Sequence, residues 1–547
     1  MISAELNIPE MTFDVIVIGA GINGAGIARD AAMRGLKVLL LDKGDIGGGT
    51  SSWSTRLIHG GLRYLEHGEF GLVRESLRER QCLIKIAPHL VRSMPLLVPI
   101  YKGARRGLWT MRAGMVLYDL LSLDKTLPRH RMLERAEALE QVSLEQEGLL
   151  GAAVYYDAQV EYAERLVVEN ALSAVEHGAE VITYARVERF IVKDGNVVGV
   201  EFAGELTGTR NQARGNIVIN AAGPWVDQIL NSEGSSSERL IGGTKGSHII
   251  VGPFPGAPSR AIYVEAQADQ RPFFIIPWNQ KFLIGTTDIL YAGDLDSVHI
   301  EENEIEYLLN ETNRVIPSAN LVRSKILYTY AGVRPLPFVG EKDEQSITRR
   351  HFIKRHPNLD NLFSIVGGKL TTYRSLAEEM VDLVVKELRR DSLNCATNQT
   401  PLPGSKTLDF DAFAATFTQQ NQLPETTCDH LLRTYGIASA SVVKLVSEDS
   451  RLAQVIDPET GAIAAEVVHA FKDELAQTLS DCLLRRTMIG LNSTCGLSAL
   501  EAAASVAQIY LGWSDERTEN EITEYRNQIM RARFLGGELR GSSPTVR

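Results

Sequence analysis

Cysteine is scarce in this 547-residue chain: Cys82, Cys395, Cys428, Cys482 and Cys495 are scattered, odd in number and never paired as C-x-x-C. That excludes a disulfide framework or a zinc site and predicts reduced thiols in a cytoplasmic setting, with no metal ligand set. Basic charge is also short, 57 Lys and Arg against 68 Asp and Glu, so the net charge of −11 gives no broad basic face for nucleic acid. No window holds about 20 apolar residues, so no membrane-spanning helix is expected. The opening MISAELNIPE carries two acids and a proline but neither a basic nor an apolar region, which predicts no signal peptide. The spacing G-x-x-x-x-G-K-[ST] is missing, and a P-loop NTPase is excluded with it.

What is present begins at Phe13. The run FDVIVIGAGINGAGIARDAAMRGLKVLLLDK reads as a buried strand to Ile18, a helix from Ile22 to about Arg34 stopped by Gly35, and a second strand, Lys37 to Leu41, ending at Asp42. Gly19, Gly21 and Gly24 fall at G-x-G-x-x-G positions. They serve the tight turn, the close approach of backbone to a pyrophosphate, and the packing of helix on strand. The helix N-terminus favours negative charge there. Asp42 is placed to accept from a ribose and would repel the 2′-phosphate of NADP, leaving FAD or NAD open.

The length calls for two or three domains. After Asp42, GDIGGGTSSWSTRLIHGGLRYLE forms a loop of small donors, with Thr50, Ser51 and Ser52 suited to a second phosphate or a ring edge. His59 follows between flexible glycines, available for proton transfer, with Arg63 and Tyr64 beyond. Glu66 to about Leu90 reads as a helix. Met94 to Leu123 interleaves Lys102, Arg105, Arg106 and Arg112 with Trp109, Met111 and Tyr118, which fits either a membrane-interface segment or a core helix with a wetted basic face. A helix to about Val175 leads to a strand at Glu180 to Tyr184, and Asp194-Gly195 marks a hairpin.

The strand Ile217 to Asn220 opens onto Ala221, Ala222 and Gly223, a second small-residue strand end that favours FAD, gripped from several sides, over NAD. Residues 240 to 330 are strand-rich and read as a largely antiparallel, substrate-facing sheet offering Lys245 and His248. Arg334, before a proline in apolar surroundings, calls for a buried anion partner. The strand Leu362 to Val366 then meets Gly367 and Gly368, with Lys369, Leu370 and Thr371 at the start of a helix to about Leu388, a second anion- or ring-binding N-terminus. Beyond the linker CATNQTPLPGSKT the pattern is helical, as of a separate bundle, with a loose tail over the last dozen residues.

VIGAGINGAGIARDAAMRGL, TSSWSTRLIHGGLRYLE, NAAGPWVD, KGSHIIV, FFIIPW with IGTTD, YAGVRPL, GGKLTTYR, RTYG and LLRRTMIGL together resemble the FAD-dependent glycerol-3-phosphate dehydrogenases of the respiratory type, over nearly the whole length. The resemblance implies an α/β fold. A Rossmann-like FAD-binding domain of the glutathione-reductase and glycine-oxidase kind would cover 1–90, 150–235 and 330–395. A mixed or antiparallel substrate domain would take 91–149 and 236–329, and an all-α C-terminal domain 405–535. It also implies that Gly19, Gly21, Gly24, Asp42, Thr50, Ser51, Ser52, Ala222, Gly223, Gly368, Leu370 and Thr371 hold FAD. His59, Arg63, Tyr64, His248, Arg334 and Lys369 would handle sn-glycerol 3-phosphate, with His59 or His248 as the base and the cations on the phosphate. Arg56 departs from the lysine that relatives often carry. A membrane quinone would accept the electrons, which implies peripheral attachment to the inner face of the cell membrane through 94–123. A homodimer is left open. An amine-oxidising flavoprotein, a glycerol-3-phosphate oxidase and a non-enzymatic sensor are the competing readings.

Overall fold

The computed structural model describes residues 11–66, 68–122, 126–231, 238–339, 349–357, 359–391, 393–407 and 409–532. The N-terminal decapeptide and the expected loose tail lie outside the described residues. At the centre is a sheet in which Thr12–Ile18 runs parallel to Arg210–Asn220 on one side and to Val38–Leu41 on the other. Leu359–Val366 and Glu180–Ile182 extend it in parallel, and Phe352–His356 closes one edge antiparallel. Successive residues of a strand face opposite ways, and here each way is apolar. Val15, Val17, Val38 and Leu40 pack against the helices Ile22–Met33, Ala163–Glu176 and Tyr373–Leu388. Ile16, Ile18, Leu39 and Leu41 pack against the hairpin Ala185–Lys193 and Asn196–Gly204, which turns at Asp194 (φ 51°) and Gly195 (φ 76°). Two left-handed residues in a two-residue turn match the twist of the flanking strands.

The second sheet has ten strands. It runs from Ile289–Leu290 through Thr244–Val251, Lys281–Gly285, Pro272–Trp278, Ala261–Glu265, Val91–Tyr101 and Leu149–Val160 to Leu57–Ile58, with Ile326–Arg334 paired to Thr244–Val251 and Arg131–Glu134 to Leu149–Val160. All its pairings are antiparallel except Ala261–Glu265 with Val91–Tyr101. Leu149–Val160 and Leu57–Ile58 reach it from stretches expected with the dinucleotide-binding part. The loop Thr50–Arg56 is one of the passages of the chain between the two sheets.

The C-terminal part contains the helices Phe410–Gln420, Glu425–Tyr435, Ser439–Glu448, Ala464–Asp473, Leu500–Leu511 and Asp515–Ala532, together with a short ribbon of Val455–Asp457 and Ala462–Ile463. Over DELAQTLSDCLLRRTMIGL the expected helical pattern is broken. The helix ends at Asp473, and after one turn at Leu479–Asp481 the backbone widens at Cys482–Arg486, where Thr487 N–H bonds the Cys482 carbonyl at 2.9 Å. That i to i+5 bond is a π-type turn. No helix among the described residues is long and apolar enough to cross a membrane.

Candidate active site

The strand Thr12–Ile18 delivers the glycine turn to the carboxyl end of the first sheet. Gly19 has φ 101°, and a Cβ on it would stand 2.7 Å from the Ala221 carbonyl oxygen. Gly24 is tighter still, for its Cβ would lie 1.8 Å from the Gly19 carbonyl, so only glycine lets the helix seat on the turn. The first turn of that helix holds no acid, and Ile22 N–H is already directed to Ser51 Oγ at 3.0 Å. Asp42 Oδ2 accepts from Ala20 N–H at 2.6 Å and Oδ1 from Gly44 N–H at 2.8 Å, leaving further lone pairs on both oxygens. Burial pushes this carboxyl up against those two bonds.

Gly19, Gly21, Asp42, Thr50, Ser51, Ala222, Gly223, Gly368, Leu370 and Thr371 all line one cavity of about 1590 Å³. Gly24 and Ser52 do not line it. Gly24 acts through helix packing, and Ser52 is buried with its hydroxyl donating to the Gly47 carbonyl at 2.6 Å, so it shapes the loop from behind. Thr50 likewise spends its hydroxyl on the Val333 carbonyl at 2.7 Å. The group that belongs in such a cavity must fill a glycine-floored cradle and supply partners to polar atoms left over within it. Asn23 Oδ1 and His248 Nδ1 are buried without a hydrogen-bond partner among the described residues. The residues present fit a flavin dinucleotide, an extended anion with ring donors and acceptors.

The other end of the cavity is cationic. Pairing of Thr244–Val251 with Ile326–Arg334 sets Thr244 beside Arg334 and His248 beside Tyr330. The Arg334 guanidinium bonds Asp288 Oδ1 at 3.0 Å and Thr286 Oγ1 at 3.0 Å. Arg349 takes the other oxygen of Asp288 at 2.9 Å. Lys369 Nζ lies 3.9 Å from the centre of the Tyr64 ring and donates to Ser76 Oγ at 3.2 Å. Burial, opposed by Glu69 and Glu75 and assisted by Arg349, brings its ammonium down to about 7. Three basic side chains thus line the cavity, two of them on one carboxylate, which Arg334 and Arg349 hold below its usual range against burial.

His248 stacks on Tyr330 at 4.8 Å and shares Nε2 with Thr55 Oγ1 at 2.9 Å. Burial, with Arg334 and Arg56 adding to it, pushes this imidazole well below its ordinary value, so it is neutral at pH 7. His59 is also neutral, taken down to about 4 mainly by burial, and its backbone N–H is fixed to Thr371 Oγ1 at 3.1 Å. Behind it, Gly60 N–H reaches the hydroxyl of Tyr118 at 3.0 Å, and Tyr118 is held by Asp157 with Arg80.

Of the residues expected here, His59, Tyr64, His248, Arg334 and Lys369 line the cavity, whereas Arg63 does not. Lys245 points the other way, buried between Glu301 and Glu304 at 2.9 Å from each. Arg56 is fully buried, bidentate to Glu164 at 2.6 and 2.6 Å and 4.5 Å from the Trp278 ring centre. Arg349 and Asp288 were not foreseen, and Thr55 only as one donor of the loop after Asp42, not as the partner of His248. Asp288 ends the IGTTD block and Thr55 sits within TSSWSTRL, while Arg349 stands in no motif.

A dinucleotide cradle on one sheet, opening into a cation-lined chamber floored by a second, defines a flavin-dependent oxidoreductase. The family model for FAD-dependent oxidoreductases matches residues 14–383, and that for the C-terminal domain of alpha-glycerophosphate oxidase matches 395–518. A glycerol-3-phosphate dehydrogenase of Synechocystis is 47% identical, the match covering 96% of this chain and 98% of the relative. A D-erythritol 1-phosphate dehydrogenase of Brucella abortus is 38% identical over 88% of this chain and 95% of its own. Among solved structures, the glycerol-3-phosphate dehydrogenase of Bacillus halodurans complexed with FAD superposes with a TM-score of 0.76 at 27% identity, covering 96% of this chain and 95% of that one. The chain belongs to the FAD-dependent glycerol-3-phosphate dehydrogenase family.

Proposed function

We propose that the protein oxidises sn-glycerol 3-phosphate to dihydroxyacetone phosphate and passes the electrons to a membrane quinone. The observation that carries the substrate is the cluster of bases at one end of the cavity, Arg334 and Arg349 on the single carboxylate Asp288 with Lys369 on the same wall, an anion-binding end suited to a phosphate. FAD, when bound, supplies the acceptor for the hydride that leaves the alcohol carbon. Arg334 and Lys369 hold the phosphate and so orient the carbon chain. His248, on the chamber wall and held at Nε2 by Thr55 Oγ1, is the imidazole assigned to take the hydroxyl proton, as its neutral state allows. His59, without charge and anchored beside Thr371, shapes the chamber wall. Glu164 fixes Arg56 and with it the loop that carries Thr55.

The D-erythritol 1-phosphate relative supports a second reading, a four-carbon polyol phosphate in the same chamber, since the cationic end recognises only the phosphate. An anaerobic visible spectrum separates them. Bleaching of the flavin by glycerol 3-phosphate but not by glycerol supports the first reading; faster bleaching by erythritol 1-phosphate moves the assignment to the second.

For the membrane, the reading rests on the helix Leu108–Leu121. Its inner face buries Met111, Met115 and Tyr118. Its outer face leaves Trp109 81%, Val116 45% and Leu120 55% exposed, with Arg112 among them. An apolar stripe with an aromatic and a base lies in an interface without crossing it, and a local basic patch is needed against the overall −11 on anionic lipid. We assign this helix to the cytoplasmic leaflet. Trp109→Asp with Leu120→Asp is expected to abolish sedimentation with anionic vesicles; unchanged sedimentation refutes the docking face.

A further inference from the structure

The cavity does not end with the first sheet. Past Asp42 its wall continues onto the C-terminal helices, where Thr478, Ser480, Arg485, Trp513, Arg517 and Asn520 line the same void as Gly19 and Lys369. The join is tightly bonded. Ala185 N–H bonds the Asp42 carbonyl at 2.7 Å and Tyr184 N–H the Gly44 carbonyl at 3.0 Å, and the Tyr184 hydroxyl reaches Asp481 Oδ1 at 2.6 Å and Thr478 Oγ1 at 3.1 Å. From the other side, Asp45 is buried between the two arginines of the π-type turn, bonded by Arg485 Nε and by both Arg486 Nη atoms at 2.8 Å.

Asp42 to Thr50 is the segment that joins the ribose-facing acid to the pyrophosphate-facing Thr50 and Ser51. Its first half, Asp42 to Asp45, is thus tied to the C-terminal part, through Tyr184 and directly through Asp45. The wall beyond it is rigid: Trp513 packs edge-on against Phe471 at 5.2 Å and carries the Arg517 guanidinium 4.2 Å from its ring centre. One helical turn on from Arg517, Asn520 presents an exposed amide, the side chain type that reads a purine edge. The volume, about 1590 Å³, exceeds the range of roughly 300–1,000 Å³ common for single small-molecule sites, as a dinucleotide with a substrate requires.

We propose that the C-terminal helical domain is a working part of the cofactor site: its corner Leu511–Arg517 and the turn bearing Asn520 close the adenosine end, clamping the nucleotide half of FAD. The proposal rests on FAD as the cofactor and gives the domain a ligand, an adenosine diphosphate moiety.

Amide hydrogen exchange on the full-length apoprotein tests it, with FAD and with ADP as separate probes. Both are expected to slow exchange over 511–520 as well as over 19–24. FAD that slows 19–24 and leaves 511–520 unchanged overturns the clamp, whereas no slowing at either place would instead refute FAD as the cofactor. On the exposed helix face, Asn520→Trp fills the annex without entering the core. It is expected to raise the FAD dissociation constant at least tenfold with the apoprotein melting temperature unchanged; an unaltered dissociation constant overturns the clamp as well.

Discussion

Lys369 is the group whose charge the chamber controls most directly, and substrate binding should therefore move a proton. With its ammonium brought down to about 7 by burial, only ~10% of it is charged at pH 8, one unit above. A phosphate charge about 4 Å away interacts with a unit positive charge by about 4 kcal/mol at an effective dielectric of 20. At 1.36 kcal/mol per unit, that returns the ammonium to about 9–10. The sign follows: binding at pH 8 takes up a proton, ~0.8 per site by the same titration. The affinity for glycerol 3-phosphate should weaken about tenfold per pH unit from ~7 toward that raised value, because a proton must be supplied. The substrate does not confuse the result, since a phosphate monoester has its second ionisation near 6 and is already dianionic above pH 7.5. Calorimetry of binding at pH 8 in buffers of differing ionisation enthalpy reads the proton directly. In Lys369→Arg, whose charge is permanent, the pH slope should vanish. Binding heats independent of buffer in the unaltered protein would refute the reasoning.

Arg334→Ala leaves Asp288 to Arg349 alone and removes a guanidinium from the phosphate; kcat/KM is expected to fall by about 10²–10³ with flavin content retained, the loss of a charge-assisted bidentate contact. An unchanged kcat/KM would remove Arg334 from the site. Gly24→Ala places a methyl 1.8 Å from the Gly19 carbonyl, and the ratio of flavin to protein absorbance should drop to near zero in whatever protein folds. Arg56→Met strands Glu164 in the core and should lower stability by about 3–5 kcal/mol in urea titration, while Arg56→Met with Glu164→Leu recovers most of the loss. A single variant as stable as the parent would show the pair to be idle.

The opening βαβ unit was legible because its signals are local. Glycine positions, a continuous apolar strand and a helix stop fall within 31 consecutive residues, and the observed bounds differ by one residue at the helix end and one at the second strand. The second sheet was legible only in part. HIIV and FFIIPW read as strands, but GAAVYYDAQV runs straight into an Ala-rich helix with no breaker before Glu161, so the strand Leu149–Val160 did not stand out. Long-range ion pairs leave no sequence signal at all. Arg56 and Glu164 are 108 residues apart, and each alone looks like a surface charge. The same holds for Lys245 and His248: three residues apart on a strand, they face opposite sides, yet only the sheet pairing shows which side is the chamber. Trp513 and Arg517 belong to an amphipathic helical region, and nothing within that region points to a cavity on a different sheet.

One helix carries the chamber's couplings. Ala163–Glu176 presents Glu164 to Arg56, Arg165 to Glu474 of the C-terminal part at 2.6 and 2.7 Å, Glu169 to His89 at 2.7 Å, and Asn170 to the Tyr373 hydroxyl at 3.0 Å. Four neighbouring elements are thereby registered against one rigid rod. Apolar side chains of similar volume would hold the helix in place at least as well, because desolvating an ion pair consumes much of its attraction. What the charges add is direction. A bidentate guanidinium tolerates neither a slide along the helix nor a rotation about it, whereas a leucine contact tolerates both. The loop with Thr50 and Thr55 and the C-terminal domain must both meet the cofactor cavity in one registration, and this helix touches both of them as well as the linker at Gly404. A substitution such as Arg165→Leu, far from His248 and Lys369, should accordingly loosen FAD before it alters the chemistry, raising the cofactor's dissociation constant while kcat at saturating FAD is kept. A fall in kcat at saturating FAD with the dissociation constant unmoved would show that the helix reaches the chamber by another route.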